Sequence, residues 1–101
     1  MNTVESKVER LFHEKDILVT CTDRPWYNNS WGSPVTAYGI EVHNLDVEHV
    51  IMVLNRLGIT FNVRDARFIN TKGCWTHKSF KFLEIPEHEK AYSIIAGCDA
   101  L

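Results

Sequence analysis

VTAYGIEVHNLDVEHVIMVLNRLGITFNVRDARFI, residues 35–69, changes its hydrophobic period twice. From Val35 to His43 apolar and small residues alternate, with Thr36, Tyr38, Ile40 and Val42 on one side and Ala37, Gly39 and Glu41 on the other. A period of two is that of a strand. From Val47 the spacing lengthens: Val47, Val50, Ile51, Val53, Leu54 and Leu57 cover nearly half the circumference of a helix. Asn44 or Asp46 suits its N-cap, and Gly58 ends it. The strand period returns at Ile59 and runs to Ile69, with Ile59, Phe61 and Val63 on one face. Asp65 and Arg67 would continue that face while Ala66 and Phe68 take the other, so a twist or bulge is expected near Asp65. The stretch therefore reads as strand, central core helix, strand.

Working outward, Val4, Val8, Leu11 and Phe12 form one narrow stripe of a first helix, Val4 to Glu14, with Asn2 and Glu5 at capping-box spacing. Ile17 to Thr22 is β-rich and reads as a first strand, which puts Cys21 on the face of Ile17 and Val19. DRPWYNNSWGSP, residues 23–34, has the Pro, Gly, Asn and Ser content of a loop. Lys78 to Ile85 reads as the fourth strand, with Phe80 and Phe82 on one face and Ser79 and Lys81 on the other. Pro86 suits the first position of a last helix, whose stripe is Ala91, Ile94 and Ile95 and whose end is Gly97.

The element order is αββαββα. Short strands adjacent in sequence favour antiparallel hairpins, and amphipathic helices must cover a sheet face. The expectation is one globular domain, residues 1–101: an α+β two-layer sandwich with a mostly antiparallel four-stranded sheet and helices packed on it. A ferredoxin-like arrangement is one layout that fits, and it implies no function.

Composition limits the function classes. A chain of 101 residues should bury roughly 65% of its unfolded surface, enough for one core without metal or disulfide. No apolar run approaches the ~18 residues of a membrane span, and the polar start MNTVESKVERLF does not read as a secretory signal. Three cysteines, Cys21, Cys74 and Cys98, are an odd number without framework spacing. They point to reduced thiols in the cytoplasm. A net charge of −2 argues against a general polyanion binder. Its distribution is uneven, since residues 56–81 hold six basic residues against one acid, and the rest of the chain five against twelve.

Few side chains are spaced for chemistry. Cys74 and His77 have half the spacing of a zinc site, in a segment read as a loop. The remaining histidines and cysteines do not pair at ligand spacing, so no metal and no cofactor is expected. As nucleophile and base the same pair lacks an orienting third group. No H-E-x-x-H, P-loop, G-x-G-x-x-G or G-x-S-x-G occurs. His88 falls in the apolar arc of the last helix and His49 borders that of the central helix, positions of half-buried packing residues. The chain reads as a non-enzyme.

Two binding classes remain. Trp26, Tyr27, Trp31 and Trp75 stand in segments where propensity puts small polar residues, and aromatics so placed serve as contact residues for another protein. Small inhibitors, immunity proteins and phage anti-defence accessory proteins that block a nuclease or defence complex share this profile of size, acidity and loop aromatics. The alternative is a nucleic-acid-binding regulator that uses the basic, aromatic hairpin 64–81, with Arg64, Arg67, Lys72, Lys78 and Lys81 along a phosphate backbone. Leu45 and Met52, uncharged at the margin of the central helix, also suit a homodimer contact.

Overall fold

The computed structural model describes residues 3–27, 34–70 and 73–101, the side chains at 24–27, 34–35, 67–70 and 73–77 excepted. The described elements are α1 (Val4–His13), β1 (Val19–Tyr27), β2 (Pro34–His43), α2 (Val47–Arg56), β3 (Asn62–Asn70), β4 (Gly73–Glu84) and α3 (His88–Ala96). The strands form one antiparallel sheet in the order β1-β2-β4-β3. This is the expected α+β fold and element order. β2 and β3, joined through α2, both run antiparallel to β4, which fills the gap between them. That single split crossover is the part shared with a ferredoxin-like layout.

The helix ends follow local chemistry. Thr3, rather than Asn2, caps α1: its side chain accepts the Ser6 N–H at 3.1 Å. After α1 the chain turns through Asp16 at φ 60°, and the Ile17 N–H reaches back to the Phe12 carbonyl at 3.1 Å. Gly58, at φ 72°, does the same for α2, where the Ile59 N–H bonds the Leu54 carbonyl at 2.9 Å. Ile59 is thereby used to close the helix, so β3 begins at Asn62 and not at Ile59. Glu87 precedes α3 as its N-cap, and the helix begins at His88, two residues later than the start expected at Pro86.

Residues paired across strands share a face. On one face lie Val19, Ile40, Val42 and Leu83. With Ile85 they form a buried cluster with Val8, Leu11 and Phe12 of α1, Val50, Val53 and Leu54 of α2, and Ala91, Tyr92 and Ile95 of α3. The helices therefore cover this face as expected from their stripes, except that Ile94 of α3 is exposed and Tyr92 is buried in the cluster. The opposite face holds a second, smaller set of buried residues, Ala37, Ala66 and Phe82, outside that cluster. The two edge strands explain it. β1 and β3 approach each other although β2 and β4 lie between them, so the sheet curls and partly encloses its own helix-free face.

Two loop assignments need correction. The segment 23–34 is not all loop, because β1 continues through Tyr27 and pairs Trp26 with Val35 and Tyr27 with Pro34. Its proline misled the reading. The Cys21 N–H points off the open edge of the sheet, where Glu9 Oε2 accepts it at 2.8 Å. Backbone direction alternates along a strand, so Pro25, four residues on, lacks its N–H on that same outer edge, where no ladder bond is lost. Cys74 and His77 are likewise not in a loop, since β4 runs from Gly73. Val63 lies on the expected face but is exposed, because the helices do not extend over β3 there.

The bulge is where expected. Asp65 pairs with Lys81 and the next residue, Ala66, with His77, so residues 78–80 of β4 stand opposite a single step of β3. Asn44 holds the inserted backbone: its N–H donates to the Ser79 carbonyl at 2.9 Å, and its Nδ2 to the Lys78 carbonyl at 2.6 Å.

Candidate functional site

The sheet positions the aromatic candidates on its two hairpins. Trp26 and Tyr27 occupy the far end of β1, and Trp75 lies in β4 opposite Phe68 of β3. Trp31 falls outside the described residues. The backbone therefore carries three of the four candidates to the ends of the hairpins distant from α1 and α2.

The basic candidates separate. Arg64 is half-buried and gives Nε and Nη2 to the same Glu84 oxygen, each at 2.8 Å, with Asn62 Nδ2 on that oxygen at 3.3 Å. Lys81 Nζ lies 2.7 Å from Asp65 Oδ1, its partner in register. Lys78 is exposed in the bulge. Arg67 lies on β3 with its side chain outside the described set, as is the whole of Lys72. At the described base of the hairpin, two of three cations are thus already matched with carboxylates.

Cys74 and His77 stand three positions apart along one strand, about 10 Å between Cα atoms, which does not suit two ligands of one ion with bonds near 2 Å. No group of three or more potential ligands occurs among the described residues. His49 is exposed, not half-buried, because it sits beyond the edge of α2's apolar face. Leu45 and Met52 are 87% and 63% exposed.

A different cluster was not anticipated. His88, at the start of α3, stacks on Tyr38 of β2 with ring centroids 4.3 Å apart and planes 15° from parallel. It also meets Tyr92, edge-on at 5.9 Å. The buried Tyr92 hydroxyl donates to the Gly39 carbonyl at 2.9 Å. These rings, with Cys21, Glu5 and Asp23, line a cleft of about 220 Å³ between α1, β1 and α3. Tyr38 is 44% exposed at its mouth. Burial, then the negative charges of Glu9 and Glu5, push the Cys21 thiol up from its ordinary 9.0 to about 12, so it stays protonated. Burial first, then proximity to Cys21 and the same two carboxylates, also raises Tyr92 well above its ordinary 10.0. The cleft is aromatic, neutral at its floor and negative in potential.

The sequence did place His88 in the apolar arc of α3. It offered no sign of the Tyr38 partner, which comes from docking α3 against a strand fifty residues earlier in the chain. A wider groove of about 320 Å³ beside α1, lined by Thr3, Val4, Ser6, Lys7, Arg10 and Ala96, has no aromatic or acidic wall.

No protein-family model matches the chain, and no match was found among curated proteins or solved structures. No helix among the described residues is long and apolar enough to cross a membrane.

Proposed function

We propose that this chain is a small, non-enzymatic binding protein of the inhibitor type, which acts in the cytoplasm by docking its two aromatic hairpins on another protein. The observation that carries the reading is the pairing of Arg64 with Glu84 and of Lys81 with Asp65. A strip meant to follow phosphates would present those cations to solvent, since affinity for a polyanion comes from releasing its counterions. Here the base of the basic hairpin is matched internally, and the aromatic positions Trp26, Tyr27, Trp31 and Trp75 remain as the contact candidates. Aromatic anchors of this kind dominate protein–protein contacts. The thiols support a non-catalytic reading: Cys21 is held protonated, and Cys74 lies three strand positions from His77.

The test is fluorescence anisotropy with labelled single- and double-stranded DNA and RNA at low and moderate salt. The expected result is no binding at micromolar protein. Micromolar binding, with log affinity falling about four to five units per unit of log salt, would replace this reading with the nucleic-acid regulator. Alanine at Trp26, Tyr27, Trp31 or Trp75 should then weaken capture of a discrete partner without unfolding the domain. Unfolding by all four would reassign them to the core.

A further inference from the structure

We infer that the cleft between α1, β1 and α3 is a socket for one arginine side chain of a protein partner, a step that rests on the protein-binding reading above. Its size selects a single side chain. About 220 Å³ lies below the roughly 300 Å³ at which sites for whole small molecules begin. Its charge selects a cation. Glu5 on α1 and Asp23 on β1 reach the cleft from two elements. Neither forms an ion pair among the described residues. Cys21 lies in the same cleft, its thiol raised by burial first and then by the carboxylates of Glu9 and Glu5. A phosphate or carboxylate would be repelled.

The wall selects a guanidinium over an ammonium. Tyr38 and His88 are already parallel, and the Tyr38 ring is open to solvent at the mouth. A planar cation continues such a stack face to face and keeps its edge donors for carboxylates on either side, whereas an ammonium is a compact, strongly hydrated point charge. The neutral floor of Cys21 and Tyr92 competes with neither contact. Tyr92, tied to the Gly39 carbonyl, packs edge-on against His88.

The experiment is an amide NMR titration of the intact protein with three capped pentapeptides, Gly-Gly-Xaa-Gly-Gly, where Xaa is arginine, lysine or citrulline. The arginine peptide should shift resonances around Cys21, Asp23, Tyr38 and His88, with a dissociation constant on the order of millimolar. The lysine peptide should bind about fivefold more weakly, and the uncharged citrulline peptide should produce no saturable shift. Glu5→Gln with Asp23→Asn should weaken the arginine peptide about tenfold, and Tyr38→Ala, at an exposed ring, about fivefold. Both variants must keep the wild-type spectrum elsewhere. Shifts scattered over the acidic surface, equal binding of lysine, or saturable binding of citrulline each overturn the inference. The titration uses no partner, so its failure leaves the hairpin variants as an independent measure of the protein-binding reading.

Discussion

Leu83 and Phe82 are neighbours on β4 and equally shielded, at 0% and 1% exposure, yet what shields them differs. Leu83 belongs to the cluster beneath the three helices, while Phe82 faces the other way, on the side of the sheet that also holds the buried Ala37 and Ala66. One face is buried by elements whose own stripes announce it. The other has no such stripe above it among the described residues, and the curvature of the sheet, which no single strand encodes, helps to enclose it.

Substitution on each face separates the two mechanisms. Phe82→Ala is expected to destabilise by about 4 kcal/mol and Leu83→Ala by about 3 kcal/mol, read as shifts in urea midpoint at constant m-value. A loss under about 1 kcal/mol for Phe82 would mean that the curl merely shades the ring and that the helix-free face has no core of its own.

Gly39 lies tight against the backbone of β4, opposite Glu84. A Cβ there would land on the Leu83 carbonyl, with the carbonyl carbon 2.9 Å away and the Glu84 Cα 3.0 Å away. Backbone cannot swing aside as a side-chain tip does, so Gly39→Ala should separate β2 from β4 and cost roughly 2–3 kcal/mol. Thermal unfolding measures it. A neutral result would show that the β2–β4 pairing is looser than its register implies.

Most of the helix-covered face was legible in the sequence. The stripes of α1, α2 and α3 each repeat within one element, and the break in parity near Asp65 located the bulge because it too is local. What escaped depends on partners distant in the chain. Pro25 and the aromatics around it read as loop until the edge position of β1 is known. The cross-strand ion pairs join residues 16 and 20 apart, and the Tyr38–His88 stack joins two elements through the core. The candidate cleft was illegible for that reason, although each of its residues is ordinary where it stands.

A smaller effect distinguishes the covered face by pH. Cys21 holds its proton to about 12 in the folded chain and loses it near 9.0 when unfolded. Between those values the folded state binds more protons, so the contribution is complete below pH 9 and is lost as pH rises toward 12. Tyr92, shifted in the same direction, adds to the loss above its ordinary 10.0. Urea unfolding at pH 8, 9, 10 and 11, conditions chosen to span that window, should show falling stability in the wild type and a shallower fall in Cys21→Ala. Parallel curves would mean that the thiol is more hydrated than its surroundings imply.

The weakest expected effect compares the faces through their ion pairs. Arg64 and Glu84 stand on the curled face with side chains 29% and 20% exposed, while Lys81 and Asp65 stand on the helix side, beyond the helices, at 36% and 51%. Arg64 meets its partner through two donors in one plane, so little rotamer freedom remains to be lost when the bond forms. Lys81 must immobilise a long flexible stem in open solvent. Double-mutant cycles should therefore give a coupling of about 1 kcal/mol for Arg64–Glu84 and about 0.3 kcal/mol for Lys81–Asp65. The second should vanish in molar salt while much of the first survives, because the enclosed pair is less open to screening. Equal couplings that salt removes equally would place both pairs in open water, and would count against the curl that encloses Phe82.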